Sequence, residues 1–330
     1  MKYGYLRFIR PLVQGLFFVF SLYIGYEFYL FYSWAIGGSG DFHPRPPGVE
    51  AFLPISALLG LKRFILTGNY DMVHPAGLTI LMAILTISFL FRKAFCGWIC
   101  PVGFISNLVE RMGHTLRLSI SVRPWVGWVL SIPKYLLMAF FIYVIFIKMD
   151  LHAIEAFINS PYNVAVDAKM LQFFLAPSNT TLLVIGGIVV ASVFIGNFWC
   201  RYLCPYGALL GLLAMIGPLR IVRDEEKCIS CKRCRRVCPA GIPVDKRQSV
   251  WDPDCIGCEE CVSVCPKEGC LLPRLGPYRL NPLWVPLLAV AFFEVAWLVA
   301  MATGHWETMV PIDIFKRFYA VMESFAHPSY

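Results

Sequence analysis

Charge is scarce in this chain of 330 residues: Asp, Glu, Lys and Arg together make 15% of it, against 58% hydrophobic residues. That balance excludes an ordinary soluble globular protein, in which about a quarter of residues are charged. Histidine is also sparse, six in all, and no pair on adjacent apolar segments has the intramembrane spacing of a dihaem bundle, so haem is not expected. The first apolar stretch lacks a small-residue cleavage site and has too long a core for a removable signal. The excess of Lys and Arg (29) over Asp and Glu (21) reads as a membrane-topology signal rather than nucleic-acid binding.

What fills the space left by charge is long apolar runs. Five segments are long enough for a hydrocarbon core of roughly 30 Å: Pro11 to Ile36, Val73 to Phe91, Trp125 to Met149, Thr180 to Phe198 and Pro282 to Thr303. Basic residues alternate between the segments joining them. Three precede the first span (Lys2, Arg7, Arg10), five lie from Arg92 to Arg123 and thirteen from Arg201 to Arg279, while the intervening loops hold few. The positive-inside rule then places the N-terminus and the 201–279 region in the cytoplasm and the C-terminus outside, in a multi-pass inner-membrane protein.

Thirteen cysteines carry the chemistry. From Cys228 to Pro266 the chain contains two successive copies of C-x2-C-x2-C-x3-C-P, the spacing that holds two [4Fe–4S] clusters with the fourth cysteine of each run crossing to the other cluster. The expected sets are Cys228, Cys231, Cys234 and Cys265, and Cys238, Cys255, Cys258 and Cys261. Zinc sites use separated CxxC pairs instead, and a cytoplasmic location keeps thiols reduced.

The membrane part repeats itself. Phe95-Cys96-Gly97-Trp98-Ile99-Cys100-Pro101-Val102-Gly103 is echoed by Trp199-Cys200-Arg201-Tyr202-Leu203-Cys204-Pro205-Tyr206-Gly207. Each copy ends a helical hairpin on the same side, and both run in the same direction, which implies a repeat axis along the membrane normal. Cysteines four apart share a helical face, and the proline suits the start of a surface helix, Val102 to Leu118 or Tyr206 to Ile216. Cys96, Cys100, Cys200 and Cys204 fit a third metal or iron–sulfur centre, a redox dithiol in each pair, or small packing residues without chemistry.

Two CxxxCP motifs on a duplicated membrane hairpin, followed by two ferredoxin repeats, resemble the NapH/MauN group of membrane-bound ferredoxin-type proteins, with NosR and CcoG more distant. The resemblance spans Val73 to Pro266. It implies electron transfer between the quinone pool or a cytoplasmic donor and a partner oxidoreductase, or electron supply to metal-centre assembly. With little chain ahead of the first span and beyond the last, a full NosR- or CcoG-type protein is not expected.

Outside the cysteines the signals are weaker. His74, His152 and His305 fall at outer span ends, and His152 with Glu155 are proton-acceptor candidates for a quinol site. Glu27, Lys134 and Glu294 lie inside spans, where ionisable groups mark ion pairs, proton routes or subunit contacts; Lys134 is near enough to the cytoplasmic side to snorkel. Lys232, Arg233, Arg235 and Arg236 coat the first cluster loop and suit an acidic carrier, although topology accounts for the same charges. Cys270 reads as a buried or free thiol. The aromatics from Phe17 to Tyr32 read as packing. Val49 to Thr67 reads as an interfacial or re-entrant helix, with Pro54 at its start and Gly60 and Gly68 as breaks.

The expected architecture is an all-α integral membrane protein with a small α+β ferredoxin-like domain: a membrane domain over 1–219, the two-cluster domain over 220–275, and a final span and tail over 276–330. It is expected to act as a redox subunit among other membrane or extracytoplasmic subunits rather than as a stand-alone enzyme. A maturation reductase and a cluster-based sensor or scaffold are the alternatives.

Overall fold

The computed structural model describes residues 3–38, 41–120 and 122–325; Lys2, counted above, lies outside them. Helix dominates. In chain order the helices are α1 (Leu6–Ala35), α2 (Pro54–Thr67), α3 (Pro75–Phe91), α4 (Pro101–Thr115), α5 (Pro124–Ile142), α6 (Leu151–Ile158), α7 (Pro161–Val164), α8 (Val166–Leu175), α9 (Asn179–Phe194), α10 (Pro205–Ile216), α11 (Arg233–Arg236), α12 (Glu260–Ser263), α13 (Trp284–Ala302) and α14 (Ile312–Ala320). The strands are β1 (Leu219–Arg223), β2 (Leu271–Leu275) and β3 (Tyr278–Arg279), antiparallel in that order.

Three of the apolar segments become helices long and apolar enough to cross a membrane: α1, α5 with its continuation to Lys148, and α13. The segment read as a span from Thr180 belongs to a pair, α8 and α9, bent by 77°, which passes the same test only as one broken span. Pro177 explains the break, because proline disfavours helical geometry in the residue before it and cannot donate to the helix. Ser178 restarts the chain by accepting from the amide of Thr181 at 3.2 Å. The Val73–Phe91 segment is realised as α3, a shorter apolar helix of 17 residues.

The chain divides into two compact units, one of residues 1–19, 84–138 and 184–293, the other of 20–83, 139–183 and 294–330. In the first, β1 pairs with β2 from Leu219↔Leu275 to Arg223↔Leu271, so the ladder ties the start of the cysteine-rich segment to its end. Ile221, Ile242, Val244, Val250, Val262 and Leu271 form a small core there. A second core gathers Leu6, Ile87, Phe91, Trp98, Leu219 and Val285. Burying such side chains is worth roughly 1.5–3 kcal/mol each.

In the other unit α2 occupies the segment read as an outer helix. Pro54 is its first residue and Gly68, at φ 73°, ends it. Gly60 is not a break as expected: it sits inside α2, where an added Cβ would lie 2.9 Å from Asp71 Oδ2. The glycine is there for close approach. Lys62 donates to the carbonyls of Ile145, Phe146 and Met149, satisfying groups that a helix end leaves without partners.

Candidate iron–sulfur and thiol centres

The two ferredoxin repeats fold alike. Ser230 and Lys232 in the first, and Gly257 and Glu259 in the second, all take left-handed backbone near φ 53–59°, two and four residues after the leading cysteine. Each turn feeds a one-turn helix, α11 or α12, whose second residue is the third cysteine of the repeat, Cys234 or Cys261. Such turns point successive amides and thiols inward, the arrangement that wraps a polyanionic centre.

Their surroundings differ. Cys238, Cys255, Cys258 and Cys261 line one cavity, walled by Ile221, Ile242, Val244 and Val250. Burial pushes the Cys238 thiol up to about 12 and raises those of Cys258 and Cys261 as well. In the first repeat Cys228 lies lower than usual, because the Ser230 amide bonds its sulfur and Arg223 is beside it. Cys234 is raised by burial and by Asp245, Cys265 and Cys231 nearby. Cys270 is buried and free, with its sulfur 3.6 Å from Asp224 O.

The second repeat is held against the first CxxxCP motif. Trp98, fully buried, donates from Nε1 to Gly257 O at 3.0 Å. A Cβ on Gly97 would stand 2.4 Å from Ile256 O and 3.5 Å from Cys258 N, and one on Gly257 would stand 3.1 Å from Phe91 O. Gly211 of α10 makes the equivalent approach to Pro253 O at 2.6 Å. Glycine is needed at these places because there is no room for anything else. Arg10 completes the seam, donating to Gly97 O at 3.1 Å and to Glu260 Oε1 at 3.0 Å.

The sequence duplication is a structural one. Phe95–Ile99 and Trp199–Leu203 are both π-helical turns, closed by Cys100 N→Phe95 O and Cys204 N→Trp199 O at 2.9 Å each. The wider turn, rather than the α-turn expected from the spacing, is common at functional sites. Cys100 and Cys204 then turn extended and precede prolines opening α4 and α10. Cys204 Sγ accepts from Gly207 N at 3.2 Å. The four thiols influence one another electrostatically, and burial pushes Cys100 to about 11 and Cys200 to about 12. Among the described residues no three His, Cys, Asp or Glu side chains converge to hold a single metal ion.

Buried cations surround these thiols. Arg92 is fully buried, with one bond, Nη2 to Asp252 O, and no partner for Nε or Nη1. Arg10 Nη2 and Arg201 Nε are also without partners. Lys93 donates to Gly207 O at 3.2 Å, and Lys134 reaches Asp254 Oδ1 at 2.5 Å. Lys134 therefore does not snorkel as expected; it is buried and ion-paired. Unpartnered buried guanidinium groups are costly, and anionic thiolate-ligated clusters are the groups that this donor set fits.

The remaining candidates each have neighbours of their own, and Arg63 bonds both Glu155 and the carbonyl of Tyr70, whose ring meets His305. His74 is fully buried and Nε2 donates to Asn163 O at 2.8 Å, with Nδ1 3.4 Å from Glu50. His305 contacts Thr303 and packs against the Tyr70 ring at a tilt of 52°, while His152 is exposed. Glu155 is paired to Arg63 at 2.6 Å. Glu27 lies 3.8 Å from His43. Glu294 is exposed on α13. A network that sequence reading missed joins Arg45 to Glu50 and Asp167 at 2.8 Å each, with Tyr319 donating to Asp167 at 2.8 Å. Burial opposes ionisation of Glu50, but Arg45 holds it below the usual carboxylate range. Positions 45, 50, 167 and 319 share no periodicity; only the charge of Arg45 in a proline-rich loop hinted at it.

A family model described as a 4Fe-4S binding domain matches residues 73–119 and again 180–223, the two CxxxCP hairpins, and one described as a 4Fe-4S dicluster domain matches 220–266. The chain is 37% identical over 317 residues, 93% of itself and 88% of the other, to the Escherichia coli (strain K12) "Putative electron transport protein YccM". It is 29% identical over 200 residues, 56% of itself and 61% of the other, to the methylamine utilization ferredoxin-type protein MauN of Methylorubrum extorquens. It is 26% identical over 151 residues, 45% and 48%, to the ferredoxin-type protein NapH of Escherichia coli. No solved structure matches.

Proposed function

The chain belongs to the NapH/MauN-type family of membrane-bound ferredoxin-type proteins, and on that premise we propose that it conducts electrons between its exposed cysteine loop and its membrane helices. It is an iron–sulfur electron-transport protein of a membrane. Cys228, Cys231, Cys234 and Cys265 would hold one [4Fe–4S] cluster and Cys238, Cys255, Cys258 and Cys261 the other. Each cluster, when bound, supplies a one-electron couple.

The observation that carries the reading is the seam between the second cysteine loop and the first CxxxCP turn, through Gly97, Trp98 and Gly257. Backbones meet there at van der Waals contact. Arg10 lies beside Cys258 and Lys93 beside Cys96, Cys200 and Cys204 to offset thiolate charge, and the Ser230 amide donates to the Cys228 sulfur, the two means by which a protein sets a cluster's potential. Cys96, Cys100, Cys200 and Cys204 form the membrane-side group, as a third centre or as two dithiols. The distribution of Lys and Arg supports a cytoplasmic face for the cysteine-rich module in an inner membrane. The reactant beyond the helices is a quinone or a partner subunit. Glu294, exposed among apolar neighbours of α13, suits a subunit contact.

The test is iron and acid-labile sulfide per chain, with low-temperature EPR, on anaerobically purified wild type and Cys96→Ser/Cys200→Ser. About eight irons in both confines metal to the ferredoxin sets and leaves dithiols at CxxxCP. More than eight, falling to eight in the variant, establishes a third centre. Fewer than about four in the wild type, after cluster reconstitution, sinks the reading.

A further inference from the structure

The exposed cysteine loop carries basic side chains that nothing in the described structure neutralises. Lys232, Arg233, Arg235 and Arg236 are exposed, as is Arg7 on α1. Arg7, Arg233 and Arg236 border a shallow recess whose floor includes Val237 and Val264. Among the described residues no carboxylate lies within ion-pairing distance of these five cations, whereas others in the same unit are paired: Arg10 with Glu260, Arg223 with Glu225, Lys227 with Asp224, Arg247 with Asp252. Arg236 bonds only the carbonyl of Cys231, at 3.4 Å. Like charges grouped without counterions repel, and they attract an anionic partner over several ångströms.

Placement matters more than number. Four of the five cations alternate with Cys231 and Cys234 along α11 and its approach, so whatever neutralises them is held close to the first cysteine set. Topology bias accounts for basic residues on this side of a membrane, but not for their interleaving with the cysteines or for the missing partners. Nor does a lipid headgroup gain from lying beside a redox site. A small apolar floor with a cationic rim is the usual form of a transient, electrostatically steered interface.

We propose that Arg7, Lys232, Arg233, Arg235 and Arg236 form the docking face for a small acidic one-electron carrier protein. The proposal rests on the electron-transfer reading above and names its partner. In the exchange one electron passes between the carrier and the iron–sulfur centre of this loop; one is oxidised by one electron, the other reduced by one, and no bond forms or breaks.

The experiment uses the full chain, cluster-loaded, in phosphatidylcholine nanodiscs under anaerobic conditions, with an oxidised acidic flavodoxin as probe and fluorescence anisotropy as the readout of binding, so that no electron need flow. Wild-type affinity is expected to fall by about tenfold or more between 50 and 300 mM salt. Arg233→Glu/Arg236→Glu should weaken binding at low salt by about tenfold, and the equally charge-shifted Arg111→Glu/Arg279→Glu by less than about twofold. Salt-independent binding, or equal loss in both variants, overturns the proposal. So does a result in which the Arg233/Arg236 variant loses only its retention on phosphatidylglycerol vesicles. Reduction by the methyl viologen radical, followed by visible bleaching, separates the two levels: unchanged in the Arg233/Arg236 variant, it shows that docking alone was lost. No bleaching in loaded wild type overturns the electron-transfer reading and the proposal with it.

Discussion

The two ferredoxin repeats share a backbone and differ in nearly everything around it. At the first left-handed position one has Ser230, exposed, and the other Gly257, pressed toward Phe91 O. At the second one has Lys232, exposed, and the other Glu259, fully buried with neither carboxylate oxygen bonded. Burial raises the Glu259 carboxyl above its usual range. One turn has therefore been fitted to two media: a solvent face where an exposed side chain and charge are tolerated, and an interior face where glycine takes the first left-handed position. The difference teaches that ligand spacing sets the turn, whereas packing sets every residue between the ligands.

The comparison breaks most completely at the cysteines. Cys231→Ser should lose about half the iron and leave a folded chain, because its loop is at the surface. Cys258→Ser should lose about half the iron and also lower the melting temperature sharply, since an emptied buried site costs several kcal/mol; iron content beside a thermal melt checks both. Gly97→Ala comes next. A methyl 2.4 Å from Ile256 O forces the seam open, with an expected cost of about 3 kcal/mol or more, whereas Ser230→Ala should fall within about 0.5 kcal/mol.

A finer test exchanges the paired positions. Gly257→Ser should destabilise by about 1–2 kcal/mol through left-handed strain and the approach to Phe91 O, while Ser230→Gly should be nearly silent; equal effects would erase the distinction between the loops. A pH-dependent difference concerns Glu110 on α4, which accepts from Asn197 at 2.5 Å and is pushed up to about 7, chiefly by burial. Its folded pKa exceeds its unfolded value, so the folded chain binds the extra proton between about pH 4.5 and 7 and loses stability as pH rises through that window. Glu110→Gln should remove that loss, gaining up to about 3 kcal/mol relative to wild type at pH 8 compared with pH 4, read as a pH series of melting temperatures.

Much of this architecture is legible in the chain. Apolar runs locate α1, α5, α9 and α13 to within a few residues, and Pro101 and Pro205 mark the starts of α4 and α10, because hydrophobic length and proline act locally. Pro54 and Gly68 bound α2 for the same reason. What is not legible depends on distant residues. Lys134 looks like a snorkelling cation until Asp254, far along the chain, is placed against it. Glu155 looks free until Arg63 meets it, and Gly60 looks like a break until Asp71 fills the space of its missing Cβ. The bend between α8 and α9 hides behind an ordinary Ala-Pro-Ser, and spacing of four cannot by itself distinguish an α-turn from the π-turns at both CxxxCP motifs.

The enclosure of Cys258 and Cys261 also bears on manufacture and repair. A cluster in the cavity lined by Ile221, Ile242, Val244 and Val250, behind the seam at Gly97 and Gly257, would have to enter before or as the seam closes, which would tie maturation of the inner loop to the order of assembly. The outer loop has no such deadline. A cluster there would meet oxygen first yet could be rebuilt in place, whereas one in the inner loop could be replaced only if the seam reopened.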